Sequence, residues 1–234
     1  MYTSILNPDI AQPGVYQKSA LIIATDADFL SKKQIKRLPG HLANAPRRKK
    51  IQYLAGDFCM REALDAGQQE LSGISESAEC CHDPIDRSQV ISSVSHTSTF
   101  VTAAVAKRDR YIGIGVNSQK IFNDTCRRKL WSFMLTKQEI ANFHWISKSA
   151  FSKNAYVSLM FSGKEAIVKA LTHTSNQLIR YQDIEIKPRL STGQHFTFSL
   201  APRVKHRETL PQNLAGSFDF RYGHVHTVLV IPKD

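Results

Sequence analysis

Paired cysteines at metal-binding spacing, long apolar runs and the residue pattern of a secretory leader are not found in this sequence. The four cysteines, Cys59, Cys80, Cys81 and Cys126, show no C-x-x-C spacing, and the adjacent pair is poorly placed to share a metal or a relaxed disulfide. Free thiols in a reducing compartment are therefore expected. No run of about 18 apolar residues is available to cross a bilayer. Residues 1–4 do not form a basic segment followed by an apolar one. We therefore expect a soluble cytoplasmic protein that has no membrane partner.

Positive charge dominates the composition. Lys and Arg number 31 against 20 Asp and Glu, which gives a net charge of +11, and hydrophobic residues make up 42% of the 234. The apolar share indicates a globular chain with a core. The surplus of cations predicts an anionic partner: a nucleic acid, a phosphorylated cofactor, an acidic protein or a membrane surface. Because no zinc spacing, RNP-like aromatic motif or recognition helix occurs, a nucleic-acid partner is not expected.

Helical and strand patterns follow each other twice along the chain. One helix is predicted over about residues 45–68, beginning with four basic residues, and a second over 151–171. Residues 136–139 have the pattern of a capping box. The second helix carries an apolar stripe of Met160, Gly163, Ile167, Ala170 and Leu171. Strands are predicted at 20–24, 90–96, 99–106, 111–117, 184–186, 195–200 and 224–231.

Each half of the chain therefore reads as a long helix followed by a β-meander. We expect an α+β fold of two similar halves, residues 1–116 and 117–234, related by a pseudo-twofold axis. A cleft between two such lobes is the natural place for a ligand.

Histidines outside any motif are assigned to the surface. His224 and His226 alternate along the last predicted strand, where they are either metal ligands or, as the sequence favours, part of an ordinary exposed strand face. We expect His144, His173 and His206 to be surface residues.

Several segments, taken in order, carry a family pattern. Residues 48–64 are similar to a KR…FLAGR…AL helix, 93–106 to SISH…AVAAVA strands, 111–117 to GIDIE, and 161–171 to an FSAKES…KAL helix. Residues 223–229 are similar to a closing GHVLTAVA strand. In this order the segments resemble the larger, monomeric type of 4′-phosphopantetheinyl transferase, which serves siderophore, antibiotic and other nonribosomal peptide or polyketide synthases.

The resemblance implies an enzyme and its site. Phosphopantetheine would move from coenzyme A to a serine of an acyl or peptidyl carrier protein, with Mg²⁺ on the pyrophosphate. The surplus of cations then suits the coenzyme phosphates and an acidic carrier protein. The implied catalytic residues are Glu165 and Lys169, and the implied coenzyme-binding residues are Arg48, Ser95, His96 and Lys164.

Departures from the pattern fall on the metal ligands. Glu165, Asn117 and the position of Gly115 correspond to the family's three metal-binding carboxylates, so that only Glu165 keeps an acid. Asp57 stands where the pattern has an arginine. Two hypotheses follow: an active transferase with a diverged metal site, or a catalytically impaired relative that binds coenzyme A or a carrier protein without transfer.

Overall fold

A computed structural model describes residues 2–5, 14–22, 38–71, 89–146, 152–174, 177–189, 194–205, 207–211 and 214–233. The chain divides into two compact units, an N-terminal unit (Met1–Arg108) and a C-terminal unit (Asp109–Asp234). Each contains helix and antiparallel sheet, so the predicted α+β class is confirmed. Cys80, Cys81 and the loop around them lie outside the described residues, as does Phe151. Among the helices that the described residues contain, none combines the length and apolarity needed to cross a bilayer.

The N-terminal unit is a four-stranded sheet with one long helix, α1 (Arg47–Leu71), packed on its two inner strands. The strand order is β1-β2-β4-β3, and every neighbouring pair is antiparallel. The strands are β1 (Tyr2–Ile5), β2 (Val15–Ile22), β3 (Val90–His96) and β4 (Phe100–Lys107).

Small side chains allow α1 to lie close to this sheet. Ala55 and Cys59 of α1 are buried against Val101 and Ala103 of β4. Burial raises the pKa of the Cys59 thiol to about 12, and the charge of Glu62 acts in the same direction. Cys59 is therefore an inert core residue, as its apolar surroundings dictate.

The C-terminal unit is a five-stranded antiparallel sheet in the order β5-β9-β8-β7-β6. Its strands are β5 (Tyr111–Lys120), β6 (Ile184–Arg189), β7 (His195–Leu200), β8 (Ala215–Arg221) and β9 (His224–Pro232). Its helices are α2 (Asp124–Met134), α3 (Lys137–Ile146) and α4 (Lys153–Thr172). The helix α4 packs on β5 and β9, and its predicted apolar stripe is buried there.

Strand pairing differs from the predicted meanders. The strand β5 pairs with β9 over its whole length and not with β4, the strand that precedes it in sequence. Strands that are distant in sequence can pair, so the order of strands along the chain does not fix their neighbours in the sheet. The division between units therefore falls before β5, whereas a boundary at 116/117 would cut that strand. No pattern in the sequence predicted β8. The predicted pseudo-twofold axis and the cleft between halves stay predictions.

The prediction of an exposed strand face at His224 and His226 is wrong. The two residues are 4% and 3% exposed, and their rings stack with centroids 6.0 Å apart. Nδ1 of His226 shares a hydrogen bond with Ser118 Oγ at 2.9 Å. Burial, with the neighbouring His224, lowers the pKa of His226 to about 4, although Asp219 opposes the shift. His226 is therefore neutral in the folded protein near neutral pH.

We predict that His226 makes the fold sensitive to acid. Because the pKa of His226 is depressed in the folded state, its contribution to stability is complete above pH 6.5 and is lost as the pH falls towards 4. The loss is on the order of 3 kcal/mol. Urea unfolding as a function of pH measures it, and His226→Asn should flatten the dependence. The control is His195→Asn, since His195 also contacts a serine hydroxyl but is exposed. Equal pH dependence in the wild type and His226→Asn would contradict the prediction.

Candidate functional site

The helix α4 carries most of the predicted site residues of the C-terminal unit. It begins after Ser152, whose hydroxyl accepts a hydrogen bond from the Ala155 amide at 3.1 Å. Its apolar side packs into the core, so that Glu165 and Lys169, one turn apart, stay partly exposed. The fixed register of α4 on the sheet thus decides where these two charges lie.

Glu165 is held by a tyrosine that sequence reasoning missed. The Tyr181 hydroxyl donates a short hydrogen bond to Glu165 Oε1. The Tyr181 ring lies against Phe161 and Phe133, with centroids 5.7 Å and 5.9 Å away. Burial raises the pKa of Tyr181, and the bond to Glu165 raises it further, so the hydroxyl remains a donor. The carboxylate therefore has one fixed partner and one partly open side.

Lys169 is anchored to β5 by its ammonium group. Nζ donates to the Val116 carbonyl and to Asn117 Oδ1, each at 3.0 Å. Burial lowers the pKa of Lys169, while the charge of Glu165 opposes this shift. The result is a positively charged group held on β5 at Val116 and Asn117 and close enough to Glu165 to interact with its charge.

Asn117 lies in a buried polar cluster, which we call the Asn117 cluster: Asn117, Ser162, Lys169 and Thr227. The Asn117 side chain is 6% exposed, and its Nδ2 donates to Ser162 Oγ at 3.1 Å. Ser162 Oγ in turn contacts Thr227 Oγ1 at 2.9 Å. Both ends of the Asn117 amide are thus engaged by the protein, the oxygen by an ammonium.

Gly115 lies directly under the backbone of α4. A Cβ placed on Gly115 would lie 1.8 Å from the Ala166 carbonyl oxygen and 2.8 Å from the Ala170 nitrogen. At Gly113 a Cβ would approach the Ala170 oxygen to 2.5 Å. These two glycines let strand and helix backbones touch, which no residue with a side chain permits without moving α4.

The predicted magnesium ligands do not fit a magnesium ion in this arrangement. Position 115 has no room for a carboxylate, and the oxygen of Asn117 faces the Lys169 ammonium. Mg²⁺ requires near-octahedral oxygen ligands at about 2.0–2.1 Å. Glu165 is then the single remaining acid of the predicted set. Across the described residues, no group of three or more His, Cys, Asp or Glu side chains is placed to hold a metal.

The Lys164 side chain points into the protein core and not towards solvent, where a phosphate could reach it. Its side chain is completely buried, and Nζ donates to Glu139 Oε2 at 2.7 Å, to the Met134 carbonyl at 2.8 Å and to the Tyr181 carbonyl at 2.9 Å. An ammonium has three donors, and all are used inside the chain. Burial lowers the pKa of Lys164, and Glu139 opposes the shift. Lys164 is thus a structural residue that fixes Tyr181.

Glu139 completes this buried pair from the start of α3. Its Oε2 accepts from the Thr136 amide at 2.8 Å while the Glu139 amide donates to Thr136 Oγ1 at 3.1 Å, so the predicted capping box is confirmed. Its Oε1 accepts from the Ile186 amide at 2.8 Å. One carboxylate therefore joins α3, β6 and α4.

The N-terminal unit contains a cavity of about 570 Å³ between α1 and β3, which we call the α1 cavity. The side chains from α1 repeat at helical spacing along one face, and Val94 and His96 share a face of β3. Ten residues line the cavity: His41, Leu42, Lys49, Gln52, Tyr53, Gly56, Asp57, Met60, Val94 and His96.

Of the coenzyme-binding residues predicted in this unit, His96 lines the α1 cavity. Its lining includes Lys49 and not the neighbouring Arg48. Ser95 alternates with His96 and so points to the opposite face of β3, where it is 5% exposed. Of the four basic residues at the start of α1, Lys49 is the one at helical spacing from Gln52, Tyr53 and Gly56, which also line the cavity. This spacing is the sequence signal that distinguishes Lys49.

Asp57 adds a negative charge to the lining of the α1 cavity, and a basic residue of the same helix pairs with it. Arg61, one turn later, forms an ion pair with Asp57, Nε to Oδ2 at 3.1 Å. The remaining titratable groups that line the cavity, apart from Tyr53, are Lys49, His41 and His96. The cavity thus combines basic groups with the apolar surfaces of Leu42, Met60 and Val94.

A comparison with family sequence models matches residues 111–220 to the 4′-phosphopantetheinyl transferase superfamily. The match begins at β5 and ends in β8, and so covers Gly115, Asn117, Glu165 and Lys169. It spans just under half of the chain. No curated protein sequence matches the chain significantly.

Solved structures that are similar to this chain include holo-ACP synthases. The enzyme from Plasmodium yoelii is 20% identical, with 53% of this chain and 96% of that chain covered and a TM-score of 0.40. The Thermotoga maritima enzyme is 17% identical, with 53% and 65% covered and a TM-score of 0.40. The Helicobacter pylori enzyme in complex with coenzyme A is 21% identical, with 50% and 98% covered and a TM-score of 0.38.

We predict that Glu139→Gln destabilises the protein by about 3–5 kcal/mol, because it leaves the Lys164 ammonium buried without a counter-charge. Glutamine has one acceptor oxygen, so it can keep the capping box but then loses the hydrogen bond from the Ile186 amide. The loss therefore reports on the ion pair together with that hydrogen bond. The measurement is the free energy of unfolding in urea. Glu208→Gln, which removes the acid of the exposed Arg207–Glu208 pair, should cost less than about 1 kcal/mol. Adding Lys164→Met to Glu139→Gln should recover stability, and equal losses for Glu139→Gln and Glu208→Gln would contradict the role of the pair.

Proposed function

We propose that the protein is a phosphopantetheinyl transferase that moves phosphopantetheine from coenzyme A to a serine of an acyl or peptidyl carrier protein. The observation that carries this proposal is the arrangement around Glu165: a half-buried carboxylate oriented by Tyr181, with the fixed ammonium of Lys169 beside it. The family match over residues 111–220 supports it, since that segment contains both charges.

Each of these groups has a task in such a transfer. The serine hydroxyl oxygen forms a bond to the β-phosphorus of coenzyme A, the bond from that phosphorus to 3′,5′-ADP breaks, and Glu165 accepts the hydroxyl proton. Tyr181 holds the carboxylate in one orientation. Lys169 places a positive charge near the phosphates, where negative charge develops. All of these tasks are performed by side chains of the chain itself.

The α1 cavity suits the adenosine end of coenzyme A. Its volume lies within the range of about 300–1,000 Å³ that small-molecule sites occupy. Leu42, Met60 and Val94 offer apolar surface to an adenine ring, and Lys49 and His96 offer basic groups to the 3′-phosphate. The net charge of +11 would steer acidic carrier proteins towards the enzyme.

The setting of the enzyme follows from the resemblance. We propose a cytoplasmic monomer of the larger type that serves siderophore or antibiotic synthases. This proposal gives no role to nucleic acid or to a membrane surface.

The second candidate function is binding of coenzyme A or a carrier protein without transfer. The observation that favours it is the contact between Gly115 and the backbone of α4, which leaves no space for a metal-binding carboxylate. Both candidates use the same ligands, so the formation of a covalent product distinguishes them.

Incubation with coenzyme A and an apo carrier protein tests the proposal. Intact-protein mass spectrometry should show the carrier gaining one phosphopantetheine, and Glu165→Gln should slow the gain about 10²–10⁴-fold because the proton acceptor is lost. The control is Glu208→Gln, because the Glu208 side chain is 85% exposed. Coenzyme A binding by wild type without any mass gain on several carriers would select the second candidate.

A second experiment tests the α1 cavity. His96→Ala and Lys49→Ala should each weaken binding of coenzyme A about tenfold, which corresponds to about 1.4 kcal/mol for a lost phosphate contact. Neither substitution should affect dephospho-coenzyme A, which lacks the 3′-phosphate. Calorimetric titration measures both ligands, and His195→Ala and Lys137→Ala are matched exposed controls. Equal losses for the two ligands would place the 3′-phosphate elsewhere.

A further inference from the structure

We infer that this site works without a divalent metal ion and that the Lys169 ammonium takes the place of the metal beside Asn117. The inference deepens the proposed function, because it states how the pyrophosphate of coenzyme A is neutralised. It depends on that function only for the ligand, since metal binding by the protein is measurable without coenzyme A.

The first argument is space. A carboxylate at position 115 needs a Cβ, and this atom would lie 1.8 Å from the Ala166 carbonyl oxygen and 2.8 Å from its carbon. The obstacle is backbone in the middle of a helix, which cannot rotate away as a side chain does. The helix α4 is held in place by its buried stripe, by Lys164 and by the Asn117 cluster. The strand therefore contributes no acid to a metal at this point.

The second argument is charge. Asn117 Oδ1, the side-chain oxygen that the strand would offer to a metal, already accepts a hydrogen bond from Lys169 Nζ at 3.0 Å. A dication bound to the same oxygen would lie within a few ångströms of the ammonium, where like charges repel strongly in a half-buried site. Displacing Lys169 would also break its bond to the Val116 carbonyl. The single carboxylate of Glu165 cannot compensate for these costs, because hard dications are held mainly by formal negative charge.

The third argument is that the Lys169 side chain is fixed in position. Its Nζ donates to two acceptors on β5, the Val116 carbonyl and Asn117 Oδ1, each at 3.0 Å. An ammonium fixed in this way presents positive charge to a diphosphate without needing a free ion. Lys169 is therefore the residue that replaces the metal in binding coenzyme A.

Manganese binding to the protein alone tests the inference. Mn²⁺ is titrated in the absence of coenzyme A, and its free fraction is followed by electron paramagnetic resonance. Wild type should have no Mn²⁺ site at Glu165. The Glu165→Gln variant should therefore bind as much Mn²⁺ as the wild type does. A double variant, Asn117→Asp with Lys169→Gln, pairs a new carboxylate with Glu165 and should gain such a site, seen also as a rise in Tm with Mn²⁺. A wild-type site of millimolar affinity or tighter that Glu165→Gln removes would overturn the inference. So would a folded double variant that gains nothing.

Calorimetry with coenzyme A provides the second arm. The Kd of wild type should change less than about twofold between Mg²⁺ and EDTA, and Lys169→Gln should weaken binding about tenfold in both buffers. Lys137→Gln is the control, since it removes the same charge from an exposed position at the start of α3. Binding that tightens about tenfold with Mg²⁺ would overturn the inference. If no coenzyme A binds in either buffer, the proposed function fails, and the Mn²⁺ titration still decides the inference.

Discussion

The direct contact between the backbone of α4 and the two glycines of β5 is the constraint on which the C-terminal unit depends. It sets the distance between helix and strand, and so brings Lys169 within reach of Val116 and Asn117. It also removes the volume that a side chain at position 115 would occupy. This one contact thus determines both that Lys169 lies beside Val116 and Asn117 of β5 and that position 115 offers no side-chain ligand.

A buried ion pair makes this arrangement rigid. Neighbouring residues of α4 hold the two ends of the same tyrosine: Lys164 Nζ donates to the Tyr181 carbonyl, and Glu165 accepts from the Tyr181 hydroxyl. Because Glu139 balances the charge of Lys164 and caps α3, a shift of any one element would leave a charge unpaired in the core. The orientation of Glu165 is therefore a property of the whole unit.

Local patterns in the sequence predicted the parts that local physics controls. The capping box at Thr136, the apolar stripe of α4 and the strand at 90–96 each depend on neighbours within a few residues, and each is present. The burial of Lys164 was not predictable, because its partner Glu139 is 25 residues away. The role of Tyr181 was missed for the same reason. Sheet membership of β5 depends on β9, which lies at the other end of the unit.

The net charge around Glu165 and Lys169 is consistent with the metal-free site that we propose. In the pattern that the sequence resembles, two further carboxylates accompany one dication, and their formal charges cancel. Replacing both acids by Gly115 and Asn117 and omitting the dication leaves the net charge at the site unchanged, with Glu165 and Lys169 as the remaining opposite pair. A carboxylate restored at one of these positions without a metal would instead add an uncompensated charge to a buried cluster, which is costly. Gly115, Asn117 and the metal-free site that we propose are therefore consistent with one another in net charge.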